Sequence, residues 1–299
     1  MAIMTDRLAA APISWGVCEA EGWGYQLSPE RVLAEMAELG ISATEFGPVG
    51  FLPVDPQDRA QALRDYGLRA VGGFLPVVLH DQNHDPMPAV EAELEAFEAA
   101  GAQVLVLSAD TGAVSYDDKQ QMHDQQWAVF GANLERVVRR AAEQGITAVL
   151  HPHVGTMIES AAAVNRVLEE TSADLCLDTG HLLIGGTNPL ELVRHHASRI
   201  GHVHLKDVDA EMAGQVGRGE LEFTAGVRQG MFVPLGAGDC RIAEIVAELE
   251  AVDYPGWYVL EQDTMLSGPP HGAGPMADVR ASAQFLQALP HTSVGARPR

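Results

Sequence analysis

Short apolar runs alternate along the whole chain with longer amphipathic segments. Eight of these runs predict strands, at residues 8–15, 43–47, 68–75, 102–109, 147–153, 174–180, 200–207 and 257–263. They are continuously apolar instead of strictly alternating, which is typical of parallel strands that are buried on both faces. The pattern therefore predicts a parallel sheet that is covered by helices.

The segments between the strands carry the signals of helices. In segment 28–40, Ser28 stands where a cap is expected, Pro29 suits the first helical position, and Gly40 stands where the helix stops. Further helices are predicted at residues 87–101, 124–145, 160–172, 188–199 and 240–252. The repeated alternation predicts an α/β fold, a single (β/α)8 TIM barrel. A doubly wound open sheet is the alternative, but it more often begins with GxGxxG, and "ISWGVCEAEGWG" is not such a motif.

The domain organisation follows from the absence of any linker, composition break or solenoid repeat. We expect one catalytic domain over residues 1–288. The connection after the seventh strand, residues 207–239, is long and rich in glycine, and such connections are often lids over active sites. Residues 289–299 are polar and are expected to form a flexible tail.

The charge of the chain restricts its partners. The sequence contains 41 Asp and Glu against 19 Lys and Arg, a formal net charge of -22, so its field repels polyanions. We therefore expect no nucleic-acid partner and no membrane partner. The three cysteines form no CxxC pair, and no apolar run reaches the length of a signal or membrane segment. A cytoplasmic protein is expected, and the sequence leaves a homo-oligomer open.

Polar residues directly follow most of the predicted strands, at the ends where TIM barrels carry their active sites. A lone acid there is often a helix cap, and a lone histidine is more often a rim residue than a ligand. However, the fifth to eighth strands all end in carboxylates or imidazoles, and these four ends surround one axis. Because such a cluster is costly unless a cation neutralises it, we predict a divalent metal ion.

The residue types in this cluster bear on the identity of the metal. Two or three carboxylates with one imidazole form an oxygen-rich site, which favours Mn²⁺ or Co²⁺, with Mg²⁺ as a further candidate. Thiolate ligands would instead select zinc, and no predicted strand ends in cysteine. A six-coordinate ion can hold two adjacent oxygens of a hydroxy-ketone. The expected partner is therefore a small polyol or keto-sugar.

Several motifs carry a resemblance to a known family. "LDTGH" at 177–181, "HVHLKD" at 202–207 and "VLEQD" at 259–263 resemble the metal-binding strand ends of the xylose isomerase-like TIM-barrel superfamily. That superfamily includes sugar isomerases, epimerases, inosose dehydratases and endonuclease IV. "PISWGV", "TEFGPVGFLP", "HPHVGTMIE" and "FVPLGAGD" resemble its inosose dehydratase-like branch, which acts on 2-keto-myo-inositol. The resemblance covers nearly the whole chain and is less specific for the substrate than for the metal site.

The resemblance implies a set of metal ligands. Three of them are Asp178, His204 and Glu261, at the ends of the sixth, seventh and eighth strands. At the fifth strand many relatives have a glutamate, whereas this chain has His151. Either His151 binds the metal, or Glu159 folds back from the following loop. We favour Glu159, because a glycine in this loop lets it turn inward and because the superfamily commonly uses three oxygens and one nitrogen.

The resemblance also implies proton abstraction next to a ketone. Loss of a neighbouring hydroxyl as water would follow in a dehydratase, and return of the proton would follow in an isomerase. The candidate catalytic residues are His151, His153, His181 and Lys206. The imidazoles are suited to proton transfer, with acid and base not assigned individually, and Lys206 to hydrogen bonding of a substrate oxygen.

Substrate contacts are expected from three further residues. Trp15 is predicted to form an apolar wall, Glu45 to contact a hydroxyl, and Arg228 to close over the substrate from the long connection.

The leading hypothesis is a metal-dependent lyase that dehydrates a keto-cyclitol such as 2-keto-myo-inositol. The alternatives are a keto-sugar isomerase or epimerase, a 3-keto-glycoside lyase, a DNA-repair endonuclease, which the negative charge disfavours, and a non-catalytic sugar-binding protein.

Overall fold

Each of the eight predicted apolar runs forms a strand in the structure, a computed structural model that describes residues 6–113 and 115–290. In order, the barrel strands are Leu8–Ala10, Ala43–Thr44, Arg69–Ala70 with Gly72–Val77, Val104–Ala109, Thr147–Leu150, Asp174–Asp178, Ile200–Leu205 and Tyr258–Leu260. All neighbouring barrel strands pair in parallel. Several strands are shorter than the predicted runs, because the last residues of runs such as 8–15, 147–153 and 257–263 belong to the loops at the barrel mouth.

The third strand closes the sheet into a barrel. Its segment Arg69–Ala70 pairs with the second strand, and its segment Gly72–Val77 pairs with the fourth strand. Between them, Val71 donates its N–H to the carbonyl of Thr44 and accepts the N–H of Gln103, with distances of 2.9 and 3.0 Å. The sheet therefore has no free edge at this point. The predicted (β/α)8 TIM barrel is confirmed, and the open-sheet alternative is wrong.

Helices cover the outside of the barrel. The α-helices are Pro29–Glu38, Pro56–Asp65, Met87–Ala100, Asp124–Glu143, Ala161–Glu170, Thr179–Ile184, Pro189–His196, Ala210–Gly217, Phe223–Arg228, Ile242–Ala251 and Met276–Ala288, with 3₁₀ turns at Pro12–Trp15 and Ala197–Arg199. All six predicted helices are present. Pro56–Asp65 was missed, although Asp55 caps its N-terminus and proline takes its first position. No helix in the described part of the chain is both long and apolar enough to span a membrane.

Side chains on the strands alternate between two cores. Leu105 and Leu107 pack in the large cluster that lies between the sheet and the helices, whereas Val106, Val149 and Cys176 form a separate cluster inside the barrel. Because successive side chains point to opposite faces of a strand, the residue two positions after Cys176 also points inward. Every second side chain of a strand therefore points inward, and at the end of the strand such a side chain faces the barrel mouth.

The connection 207–239, which we call the lid, is a folded excursion. Strands Asp207–Val208 and Phe232–Val233 pair in antiparallel fashion at its base, and the two helices Ala210–Gly217 and Phe223–Arg228 lie between them. The carboxylate of Asp207 accepts backbone N–H groups from Gly236, Gly238 and Cys240 at 2.8, 3.1 and 2.9 Å. One buried side chain therefore joins the beginning of the lid to its end. Of the predicted C-terminal tail, residues 291–299 lie outside the described residues.

Candidate active site

An open cavity of about 560 Å³ lies at the carboxyl ends of the barrel strands. Its polar lining consists of Glu19, Glu45, His151, His153, Lys206, Glu261 and Asp263. Its apolar lining includes Ile13, Val17, Trp23 and Phe74. The cavity therefore suits a small molecule that has polar edges and an apolar face.

Four side chains from the fifth to eighth strands converge at this cavity. His151, Asp178, His204 and Glu261 offer ligand atoms that all lie within 4.8 Å of one another. The Nε2 atom of His151 is 3.1 Å from Oδ2 of Asp178, and the Nδ1 atom of His204 is 3.8 Å from the same oxygen. Two imidazoles and two carboxylates at this spacing form a donor set for a divalent transition-metal ion.

Atoms without hydrogen-bond partners support this interpretation. The Nδ1 atom of His204 and the Oε2 atom of Glu261 are buried and in contact. Nevertheless, neither forms a hydrogen bond within the described structure, and the same is true of Nδ1 of His151. Unsatisfied buried polar atoms are rare and need an explanation. A cation between these donors would satisfy them, so the residues present fit a bound metal ion.

Glu45 orients the imidazole of His204. Its Oε1 atom accepts hydrogen bonds from Nε2 of both His202 and His204, each at 2.8 Å. Burial acts to raise the pKa of Glu45, but the two adjacent imidazoles outweigh burial and hold this pKa well below its usual value. Because an ionised carboxylate only accepts, Nε2 of His204 carries a proton and Nδ1 offers its lone pair to the cluster.

Lys206 is a buried cation beside the cluster. Its Nζ atom lies 3.1 Å from Nε2 of His181 and 3.5 Å from Oε1 of Glu261, and it also bonds the carboxylate of Asp263. Burial acts to lower the pKa of Lys206, but Asp178, Asp263 and Glu261 outweigh burial and hold this pKa above its usual value. Lys206 therefore remains charged, and it can donate hydrogen bonds but cannot serve as a base.

His153 is held in its neutral form, with a lone pair on one ring nitrogen. Its Nδ1 atom bonds the carbonyl oxygen of Val154 at 2.7 Å, so Nδ1 carries the proton and Nε2 keeps a lone pair. Burial, with the neighbouring His151 and Lys206, holds the pKa of His153 well below its usual value. The ring packs on His181 with 3.8 Å between centroids. His153 lines the cavity and is neutral near pH 7, whereas His181 lies behind it.

Glu159 lies outside the cluster. Its carboxylate accepts from Nζ of Lys119 at 2.7 Å and from the backbone N–H of Gly155 at 2.9 Å. The fifth strand ends at Leu150, so His151 is still directed at the barrel axis, whereas the following loop turns away at Gly155, where φ is +76°. The structure therefore places His151 in the cluster and Glu159 outside it, in contrast to the preference for Glu159 as the fifth-strand ligand.

Trp15 does not form the expected wall. Its side chain is fully buried, and its Nε1 donates to Glu35 in helix Pro29–Glu38 at 2.8 Å, so Trp15 belongs to the core. The indole that lines the cavity is Trp23, from the same loop, whose Nε1 donates to the carbonyl of Thr264 at 2.9 Å. The two tryptophans lie near each other in the sequence. The path of the chain between them places Trp15 in the core and Trp23 at the cavity.

Arg228 also lies away from the cavity. It is exposed at the end of helix Phe223–Arg228 and is not among the described residues that line the cavity. The lid residue beside the site is Phe223, whose ring centroid is 5.7 Å from that of His181 and 6.1 Å from that of His153. The lid therefore covers the histidines with an aromatic ring instead of an arginine.

A closed (β/α)8 barrel whose strand ends bring carboxylates, imidazoles and a buried lysine together defines a TIM-barrel enzyme. Residues 33–289 match the xylose isomerase-like TIM barrel family model, and the chain belongs to this family. The resemblance drawn from the strand-end motifs is thus confirmed.

Curated relatives cover nearly the same length. The chain is 31% identical over 311 residues to inosose dehydratase of Geobacillus kaustophilus (strain HTA426), which covers 98% of this chain and 97% of the relative. It is 30% identical over 279 residues to inosose dehydratase of Lacticaseibacillus casei, with 89% and 93% covered. Among solved structures, the IOLI protein with a binding zinc atom superposes with a TM-score of 0.69 at 11% identity, with 94% and 98% covered. That last likeness shows the fold alone.

Proposed function

We propose that this enzyme dehydrates a keto-cyclitol such as 2-keto-myo-inositol, with a divalent metal ion bound by His151, Asp178, His204 and Glu261. The observation that carries the proposal is the cluster of these four side chains, of which His151 and Glu261 line the same cavity as the neutral imidazole of His153. The two relatives named inosose dehydratase, at 30–31% identity over most of the chain, support the substrate class.

The nitrogen and oxygen atoms of this ligand set bear on the identity of the metal ion. When bound, the ion supplies a Lewis acid that polarises the ketone and stabilises the charge of the enolate. With His151 as a ligand, the set contains two nitrogens and two oxygens instead of the expected three oxygens and one nitrogen. This change favours Co²⁺ or Mn²⁺, adds Zn²⁺ as a candidate, and disfavours Mg²⁺, which prefers oxygen ligands.

The side chains of the cavity perform the proton transfers. Nε2 of His153 takes the proton from the carbon next to the ketone, and Lys206 donates a hydrogen bond to the oxygen that gains negative charge. His153 then returns this proton to the hydroxyl of the neighbouring carbon, which leaves as water with its bonding electron pair. The electrons of the broken C–H bond form the new double bond, and the resulting enol rearranges to a diketone.

The apolar side of the cavity completes the site. Trp23 and Ile13 offer the ring a face without hydrogen-bonding groups, and Phe223 of the lid stands over the histidines. Exclusion of water strengthens the hydrogen bonds that Lys206 and His153 make in the reaction. This arrangement suits a cyclitol, whose ring faces are apolar and whose edges carry hydroxyls.

The test is an assay of the protein loaded with Co²⁺, Mn²⁺ or Zn²⁺, with 2-keto-myo-inositol as the substrate and mass spectrometry as the readout. We expect a product that is lighter by one water. The variant His153→Ala should lower kcat by about 10²–10⁴-fold, the usual contribution of a general base. The matched control is His195→Ala, since this imidazole is 70% exposed on an outer helix. Deuterium exchange from solvent without loss of water would indicate an isomerase or epimerase instead, and the absence of both water loss and exchange would contradict the proposal.

A further inference from the structure

A second cavity, of about 740 Å³, adjoins the catalytic cavity at the end of the fourth strand. Glu19 and Tyr116 line both cavities. The hydroxyl of Tyr116 donates to the carboxylate of Glu19, so these two side chains form the partition between the cavities. A ligand that occupies both the catalytic cavity and the second cavity would therefore lie beside Glu19 and Tyr116.

The lining of the second cavity is rich in hydroxyls and carboxylates. These groups belong to Ser108, Asp110, Thr111, Ser115, Thr156, Glu19 and Glu21, and no Lys, Arg or His is among the described residues that line it. Glu19 and Glu21 are exposed, and Asp110 is half-buried. Hydroxyls both donate and accept, and carboxylates accept, so the lining is complementary to a molecule that presents several hydroxyls.

Ser108 is the observation that points to a ligand. Its side chain is 1% exposed, and its Oγ atom has no hydrogen-bond partner within the described structure. It lies opposite Pro76 on the neighbouring strand, and proline offers no N–H. A buried hydroxyl that lines a cavity and lacks a partner is costly. A ligand hydroxyl in the cavity would satisfy it.

Asp110 adds a strand-end acid that the catalytic site does not use. Its Oδ1 atom accepts the backbone N–H of Gly112 at 2.9 Å, which holds the carboxylate at the cavity wall. Next to it, the ring of Tyr116 packs on the ring of His153 with 4.8 Å between centroids. The partition between the cavities thus also forms one wall around the proposed base.

We propose that the second cavity binds a second hydroxyl-bearing ring, so that the substrate is a keto-cyclitol with a sugar attached through oxygen. This inference rests on the proposed function, because it extends the same substrate. A sugar fits better than an amine, since the carboxylates here are exposed or half-buried and share the lining with four hydroxyl side chains.

The test is a binding measurement that does not depend on turnover. Calorimetry compares galactosyl-myo-inositol with myo-inositol, neither of which carries a ketone, on the wild-type enzyme and its variants. We expect the galactosyl compound to bind at least about tenfold more tightly, which is the scale of one hydrogen bond to a charged group. Asp110→Asn and Ser108→Ala should reduce this advantage. The control is Asp81→Asn, an exposed acid that accepts the N–H of Asn83 at 2.9 Å in a similar turn.

The outcomes separate this inference from the proposed function. Equal or weaker binding of the galactosyl compound overturns the inference, while dehydration of 2-keto-myo-inositol in the same preparation would leave the proposed function intact. An advantage that survives in Asp110→Asn and Ser108→Ala also overturns it, because the sugar would then bind elsewhere. Tighter binding of an amino-inositol than of the galactosyl compound would also overturn the inference. The carboxylates of the cavity would then bind a positively charged amine in preference to a sugar.

Discussion

His204 lies between carboxylates that assign different tasks to its two ring nitrogens. Nε2 donates to Glu45 at 2.8 Å, whereas Nδ1 faces Asp178 and Glu261. A buried carboxylate that holds the outer N–H of a ligand histidine fixes the tautomer and the ring orientation. The chemistry of the site therefore depends on Glu45, which is not one of the four residues of the cluster.

Replacement of Glu45 by Gln tests this dependence. The neutral amide oxygen is a weaker acceptor for the two imidazole N–H groups than the carboxylate, so we expect metal affinity to fall by about 10–100-fold. Competition with a fluorescent chelator measures the affinity. Glu93→Gln is the control, because Glu93 is also largely buried and pairs with Arg59 at 3.3 Å away from the cluster. Unchanged metal affinity in Glu45→Gln would contradict the orienting role.

The choice between His151 and Glu159 has a direct test. Because His151 lies in the cluster and Glu159 pairs with Lys119, we expect His151→Ala to lose metal affinity by more than the roughly 10–100-fold typical of an outer partner. Glu159→Ala should keep its metal, as measured by metal analysis after dialysis. Loss of metal from Glu159→Ala alone would restore the ligand set that the sequence suggested.

At the scale of elements, the loops at the barrel mouth are fastened to one another and to the lid. Lys119 bonds Glu159 at 2.7 Å and the carbonyl of Val216 in the lid at 3.4 Å. Asp117 accepts the N–H of Phe223, at the start of the second lid helix, at 2.7 Å. The loop after the fourth strand therefore joins the loop after the fifth strand to the lid.

Gly155 shows how closely these loops approach. A Cβ atom at this position would lie 2.1 Å from the carbonyl oxygen of Tyr116, and φ is +76°. We expect Gly155→Ala to destabilise the fold by clearly more than the roughly 1–2 kcal/mol of left-handed strain alone. Gly145→Ala isolates that strain, since φ there is +74° and nothing lies within 4 Å. Urea unfolding measures both, and equal losses would show that the loops do not approach as described.

Asp117 tests the attachment of the lid. Its carboxylate accepts from the N–H of Phe223 and from the hydroxyl of Thr224, in the manner of a helix cap. We expect Asp117→Ala to weaken the second lid helix by about 0.5–2 kcal/mol, the usual value of a cap. Hydrogen exchange in residues 223–228 should accelerate accordingly, with little change in the barrel strands. The exposed neighbour Asp118 provides the control Asp118→Ala, and equal exchange in both variants would contradict the attachment.

At the scale of the whole molecule, the dominant property is the excess of negative charge. With 41 acidic against 19 basic residues, the folded chain repels itself and repels polyanions. The described surface pairs many of its arginines with neighbouring acids, for example Arg194 with Glu248 and Glu191, both at 2.8 Å. Most of the excess acids therefore face only solvent and counterions. A cytoplasmic location and a homo-oligomeric state remain predictions.

This charge predicts a salt dependence of stability. An increase in ionic strength from about 0.01 M to about 0.15 M shortens the screening length from roughly 30 Å to 8 Å and weakens the self-repulsion. We expect Tm to rise by about 2 °C, which corresponds to roughly 1 kcal/mol for a chain of this size. Thermal unfolding at several concentrations of NaCl measures the rise, and KCl should give the same result. A Tm that is constant or falls with salt would show that the surface charges are already balanced locally.

The barrel follows from the sequence alone. Apolar runs bounded by polar strand ends specify parallel buried strands, and parallel strands bring their carboxyl ends to one mouth. The sequence therefore predicts that Asp178, His204, Glu261 and Lys206 lie together, and the structure places them within contact of one another. This inference needs only the period of the strands and the chain order, which are local properties.

The paths of the loops depend on contacts that arise only in the folded chain. His151 and Glu159 are alternatives for one role along the sequence, and the structure holds Glu159 against Lys119, which lies 40 positions away in the chain. Trp15 and Trp23 share one loop, and packing assigned one to the core and the other to the cavity. The direction of a loop side chain depends on contacts between segments distant in sequence, and hydrophobic periodicity contains no information about these contacts.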